Sequence, residues 1–189
     1  MSSALIVSSS EKGKSILSEI IKMSGFSKIE TVSNGSEVRR ILIQNNFDIV
    51  LINAPLTDEF GHDLALNITE NTSSGVILMV KSNIADEISA KVEDFGVFIV
   101  EKPLNKQLLY QAIKLISTST KRITKLKEEN LKLKNKISEI RLIDRAKCIL
   151  IQYLNMTEPQ AHRYIEKQAM DRRITKKEVA QNILKTYEN

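Results

Sequence analysis

Apolar residues recur along this chain in three rhythms, and each predicts a different kind of element. Over roughly the first hundred residues, short apolar runs at 4–7, 28–31, 48–52, 76–80 and 97–100 read as strands. Between them, 11–23, 35–45, 58–71 and 84–95 carry apolar residues at helical spacing. Such alternation predicts a parallel sheet with helices on both faces. The third and fourth runs are apolar nearly throughout, as strands covered on both faces should be.

The second rhythm runs from about residue 105 to 152, a stretch with neither proline nor glycine. With Ile123 at an a position, the a sites are Leu109, Ile116, Ile123, Asn130 and Ile137. The d sites are Ala112, Ser119, Leu126, Leu133 and Ile140. Isoleucine at a with leucine at d favours two parallel strands, and a single asparagine at a penalises other registers and higher orders at some cost in stability. Asn130 is that signal. At the flanking sites Glu129 meets Lys134 of a second chain favourably, whereas Arg122 faces Lys127 and Lys136 faces Arg141. The pattern therefore predicts a weak or conditional dimer along Ile123, Leu126, Asn130, Leu133, Ile137 and Ile140. From Leu109 to Ile116, where Ala and Ser fill d, the same pattern fits equally a helix packed on its own domain.

The third rhythm is short. Thr157 begins a helix with Pro159 in its first turn and Gln160 at the reciprocal capping position, and Ala161, Ile165 and Ala169 form its apolar stripe. Thr175 begins another in the same way, with Glu178 as the cap and Val179, Ile183 and Leu184 facing inwards. A three-helix unit of roughly 50 residues would be marginal alone. Sharing its first helix with the dimer seam would anchor it.

Charge separates the halves. Residues 1–120 carry 11 Lys and Arg against 14 Asp and Glu, net −3, whereas residues 121–189 carry 17 against 9, net +8. The basic half points to a partner bearing phosphates, and a solvated helical surface accounts for part of the same excess. The single cysteine, Cys148, allows no internal disulfide and no cysteine metal cluster, as in a reducing cytoplasm. No apolar run of about 18 residues spans a bilayer, and the opening Met-Ser-Ser-Ala-Leu-Ile-Val lacks the basic start of a signal peptide. The expectation is a cytoplasmic protein with no membrane partner.

The order of elements, the run Phe47-Asp48-Ile49-Val50-Leu51-Ile52-Asn53-Ala54-Pro55 before Gly61, and Val100-Glu101-Lys102-Pro103-Leu104 at the end of the fifth strand resemble the response-regulator receiver domain over roughly residues 1–118. The resemblance implies an α/β flavodoxin-like sheet in the order 2-1-3-4-5, with its site at the carboxyl ends of strands one and three. It implies Mg²⁺ held by two acidic residues, but the matching positions are Ser8 and Ser9, with Ser10 beside them. The phosphoacceptor aspartate falls on Asn53. The hydroxyl residue closing the fourth strand falls on Val80, with Ser82 two residues on. Lys102 remains, and Lys102-Pro103 implies the family's cis peptide bond. Hydroxyls supply no charge to Mg²⁺, and a carboxamide is a poor nucleophile. The expectation is a pseudo-receiver that keeps the fold and loses phosphotransfer, binding no metal or cofactor and acting as no enzyme. Ser8 to Ser10 read otherwise as an ordinary polar loop after a strand.

Further on, Ile143-Asp144-Arg145-Ala146-Lys147, Ile149-Leu150, Met156-Thr157-Glu158, Ala161, Arg163-Tyr164-Ile165, Gln168-Ala169-Met170-Asp171, Val179-Ala180 and Ile183-Leu184 resemble the ANTAR domain over residues 141 to about 187. That family implies RNA binding that prevents transcription termination, as an output behind a receiver and coiled coil. Paired hairpin loops meeting a protein dimer suit the seam. Cys148 stands where a glycine is usual and is read as packing. From the residues themselves, Arg163 and Lys167 lie four apart on one helix face, and Arg172, Arg173, Lys176 and Lys177 cluster at the following turn. Tyr164, read mainly as partly core, or His162 offers a ring to an unpaired base, and Arg145 and Lys147 either join this surface or cap the dimer seam. Sequence-specific RNA recognition favours loops with splayed bases. His62 reads as an ordinary polar surface residue.

The boundaries expected are a pseudo-receiver at 1–118, a coiled-coil dimerisation helix at 119–140 and an ANTAR unit at 141–189. The expected function is antitermination through hairpins in nascent mRNA leaders. One alternative is an interaction protein whose pseudo-receiver binds a sensor or sequestering partner. Another is a DNA-binding response regulator, although the last helix offers Gln181 and Asn182 but few cations at its outward centre.

Overall fold

A computed structural model of the chain describes residues 2–187. Two compact units divide it between Lys125 and Leu126. In the first unit, β1 (Ser3–Ser8), β2 (Lys28–Val32), β3 (Ile49–Asn53), β4 (Gly75–Lys81) and β5 (Val97–Lys102) pair in parallel in the order β2-β1-β3-β4-β5. The helices between them are α1 (Glu11–Met23), α2 (Gly35–Gln44), α3 (His62–Asn71) and α4 (Ala85–Val92). A long helix, α5 (Lys106–Leu154), follows β5.

Strand alternation sorts the core into two layers. Leu5, Val7, Val50, Ile52, Val76, Leu78 and Val80 pack against Val38 of α2, Leu64 and Ile68 of α3 and Ile88 of α4. Ala4, Ile6, Ile49, Leu51, Ile77 and Met79 pack against Leu17 and Ile21 of α1 and Leu109, Ala112 and Ile113 of α5. The flavodoxin-like order expected from the sequence is the order observed. The helix expected from residue 58 begins four residues later. Asp58 is occupied elsewhere: its carboxylate accepts from the Gly35 and Ser36 N–H groups at 2.9 and 3.0 Å, capping α2 and holding its own pKa below the usual carboxylate value.

The opening turns of α5 belong to the receiver core. Leu109, Ala112 and Ile113 are buried, and Ile116 packs beside them. At Gly75 a Cβ would stand 2.3 Å from the Ile116 side chain, so glycine permits this close approach. The heptad positions before Ser119 are therefore turned into this core, and the exposed part of the pattern begins at Ile123.

The second unit contains the rest of α5 with α6 (Glu158–Arg172) and α7 (Lys176–Tyr187). Its core joins Ala146, Ile149 and Leu150 to Ala161, Ile165 and Ala169 and to Val179, Ala180, Ile183 and Leu184. Both helix starts are capped as the sequence requires. The Thr157 N–H donates to Gln160 Oε1 at 2.8 Å, and Thr175 and Glu178 bond reciprocally at 2.7 and 3.2 Å. Cys148 departs from expectation: it is exposed rather than packed at a helix crossing. Among the described residues, no helix is long and apolar enough to cross a membrane.

Candidate functional site

At the carboxyl ends of the strands, alternation sends Ser8, Asn53, Lys81 and Lys102 to one face of the sheet, the face covered by α1 and α5. Ser8 pairs with Asn53 in register, and Lys81 with Lys102. Val80, expected to close the fourth strand at the site, has the opposite parity and is buried against α2 to α4. Lys81 takes that place. Its signal in the sequence is that it is the first polar residue after the apolar run.

Ser8 is fully buried, and its hydroxyl is saturated. Its O–H donates to the Ser10 carbonyl at 3.2 Å, while its oxygen accepts from the Ser10 N–H at 3.3 Å and from Asn53 Nδ2 at 2.9 Å. One donor and two acceptor sites exhaust a hydroxyl. Ser9 is exposed and donates to the Pro55 carbonyl at 3.2 Å, and Ser10 caps α1 by accepting from the Gly13 N–H. A Cβ at Gly13 would lie 2.6 Å from Ser8 Oγ and 2.8 Å from Asn53 Nδ2, so α1 closes tightly over the pair. The serines thus make the local hydrogen bonds of a strand-to-helix loop.

Lys102 donates to the Ala54 carbonyl. Burial pushes its ammonium below the ordinary lysine range, and the charge of Lys81 adds to the shift. The peptide bonds before Pro55 and Pro103 are both cis. This donor set does not fit Mg²⁺, which takes carboxylate oxygens: the crevice offers a spent hydroxyl, a carboxamide and two ammonium groups. His62, expected at the surface, is half-buried against Phe60 with ring centroids 5.6 Å apart.

In the second unit, the cations singled out from the sequence divide between two flanks. On one, Lys147 of α5 bridges Asp144 at 2.8 Å and Glu158 of α6 at 2.9 Å, and Lys176 of α7 pairs with Glu166 of α6 at 2.6 Å. His162 Nε2 lies 3.2 Å from the same Glu166 carboxylate, whose pKa is lowered chiefly by the Lys176 hydrogen bond. These groups largely neutralise one another and tie the three helices together.

The other flank is different. Arg163 and Lys167 lie opposite the buried stripe Ala161, Ile165 and Ala169, and at 100° per residue Tyr164, Gln168 and Arg172 continue the band around α6. Arg163, Lys167, Arg172, Arg173 and Lys177 are exposed and have no ion pair among the described residues. Arg173 caps α6 in the left-handed conformation, at φ 53°. Tyr164 is 36% exposed. Arg145 is exposed on α5. Spacing alone could not separate the two flanks, because it does not say which carboxylates the other helices bring.

On α5, Ile123, Leu126, Leu133, Ile137 and Ile140 are between 50% and 61% exposed, in contrast to the buried Leu109 and Ala112. Asn130 lies exposed among them. These positions form a partly exposed apolar series along α5.

Residues 4–114 match the Response regulator receiver domain family, and residues 131–184 match the ANTAR domain family. Over 170 residues the chain is 26% identical to the transcriptional regulatory protein PdtaR from two strains of Mycobacterium tuberculosis, covering 90% of this chain and 83% of that protein. Among solved structures, a two-component response regulator from Clostridium difficile is similar at 23% identity with a TM-score of 0.55, covering 61% of this chain and 95% of that one. The chemotaxis response regulator CheY4 of Vibrio cholerae is similar at 16% identity with a TM-score of 0.53, covering 61% and 98%. These structures share the fold of the first unit.

Proposed function

Because the chain belongs to the response regulator receiver family and carries an ANTAR domain behind the receiver, we propose that it is a cytoplasmic RNA-binding regulator that works as a homodimer and favours antitermination at hairpins in mRNA leaders. The observation that carries this reading is the band on α6. Arg163, Lys167 and Arg172 have no carboxylate partner among the described residues and flank Tyr164, which suits a phosphate backbone next to unpaired bases. The α5 stripe supports pairing through a parallel coiled coil, which would bring two such surfaces to two hairpins. In this reading residues 1–118 are the receiver, 119–140 the dimerisation helix and 141–189 the RNA-binding unit.

The test compares binding of a stem-loop RNA with binding of duplex DNA of matching sequence, each across a range of salt. The stem-loop binds more tightly at every salt concentration. Preference for the duplex would identify a DNA-binding regulator, and failure to bind either would leave an interaction protein whose receiver takes a sensor or sequestering partner.

The receiver in this reading is not phosphorylated. Asn53 offers a carboxamide where an aspartate would attack, and the Ser8 hydroxyl that a metal would need is spent on Ser10 and Asn53. Incubated with a small phosphodonor and Mg²⁺, the intact protein shows no mass gain of about 80 Da, the mass of one phosphoryl group. A gain located on the receiver would overturn this part of the proposal and leave RNA binding untouched.

A further inference from the structure

The band on α6 leads into a cleft that the site residues read from the sequence only partly describe. It lies between α6 and α7, has a volume of about 170 Å³, and rests on an apolar floor that includes Leu150 and Ile183. Tyr164, Gln168 and Arg172, each four residues apart, line one side, and Asn182 lines the other. Pockets that enclose drug-sized ligands run to roughly 300–1,000 Å³. At this volume the cleft holds one small group.

Thr186, at its edge, donates to the Asn182 carbonyl at 2.8 Å, whereas the two carboxamides of the lining are unspent. Neither the Gln168 nor the Asn182 carboxamide makes a side-chain hydrogen bond among the described residues, and Gln168 is half-buried. Each carboxamide offers both donors and an acceptor. A nucleobase edge displays the same mixture, so two carboxamides over an apolar floor complement one base, with the Tyr164 ring at the side and Arg172 at the mouth for a phosphate or a base edge. The other flank of α6 also has a hollow between the helices, but its polar groups, Lys147, Lys176, His162 and Glu166, already face partners within the protein. Its charged groups are thus engaged with one another, unlike the two carboxamides.

We propose that the cleft between α6 and α7 is a specificity pocket that receives a single unpaired nucleobase from an RNA loop, with Gln168 and Asn182 reading its edge. The proposal rests on the RNA-binding reading above and goes beyond it, since it separates base recognition in the cleft from phosphate attraction by Arg163 and Lys167.

The test uses the full-length protein and a pool of stem-loop RNAs with a constant stem and a randomised loop. The parent protein enriches particular loops, and affinities are then measured for the enriched loop and for the unselected pool. The Gln168→Ala/Asn182→Ala protein binds the unselected pool within about twofold of the parent and loses about tenfold or more of its preference for the enriched loop, since base contacts of this kind carry discrimination on that scale. If the pair unfolds early by circular dichroism, Asn182→Ala alone, at an exposed position, carries the test. Retained preference, or an equal loss for both RNAs, overturns the pocket while RNA binding stands. A parent protein that binds no RNA overturns the RNA-binding reading and the pocket with it. Tight binding of an aromatic peptide that RNA cannot displace would make the cleft a protein-docking site and also overturns the proposal.

Discussion

Leu126→Asp combined with Leu133→Asp is expected to convert the protein from dimer to monomer in sedimentation velocity. Both leucines occupy d sites of the heptad pattern on α5 and are more than half exposed. A fully buried leucine contributes roughly 1.5–3 kcal/mol, so losing two from each chain removes at least about 6 kcal/mol. Micromolar association amounts to only about 8 kcal/mol in total, and a loss of this size weakens the dimer by roughly ten-thousandfold. Because those leucines lie outside the buried cores, both units stay folded by circular dichroism, while the melting temperature falls as the second unit loses the anchor of the seam. Its affinity for RNA carrying two hairpins falls to that for one, since the linked second contact disappears. Asn130→Ile separates stability from specificity: association tightens, and species beyond the dimer appear. A parent protein that is monomeric at all concentrations, with and without RNA, would defeat the coiled-coil reading.

The second large effect concerns charge. Arg163→Ala combined with Lys167→Ala is expected to weaken RNA binding roughly 10- to 100-fold near 0.1 M salt and to reduce the slope of log affinity against log salt by about two, as two lost phosphate contacts require. Folding stability stays the same, because both side chains point away from the buried stripe of α6. Lys147→Ala is the informative contrast. It breaks the bridges to Asp144 and Glu158 and lowers stability by about 0.5–1 kcal/mol, with little change in RNA affinity. If Lys147→Ala and the α6 pair have interchanged effects, the division of the cations into two flanks is wrong.

That division shows where the reading from residue spacing stopped. Lys176 stands within the same basic surroundings as Arg163 and Lys167, and spacing does not tell it apart, whereas Lys147 has Asp144 three residues before it on its own helix. The rest of the difference arises from Glu158 and Glu166, which the helix packing brings within 2.9 and 2.6 Å. The cleft was hidden for the same reason: Gln168 and Asn182 are 14 positions apart and share a cleft only because α6 and α7 pack along their apolar stripes. At the receiver crevice the reading came closer. Ser8, Asn53 and Lys102 are where the alignment of motifs put them, while Val80 misses by one residue, which in a strand means the opposite face.

Local patterning determined the five strands, the helices between them and the two capped helices near the end, because these depend on periods of two and 3.6 residues and on side chains that bond their own backbone. It also determined that serine and asparagine, and no carboxylate, stand at positions 8, 9 and 53 of the crevice. Tertiary structure alone decided which half of the heptad pattern serves the receiver core, which lysines are neutralised and which polar groups share a cleft. Each of these depends on residues far apart in the chain arriving within a few ångströms of one another, and hydrophobic burial, which drives that approach, is blind to which polar neighbours it brings together.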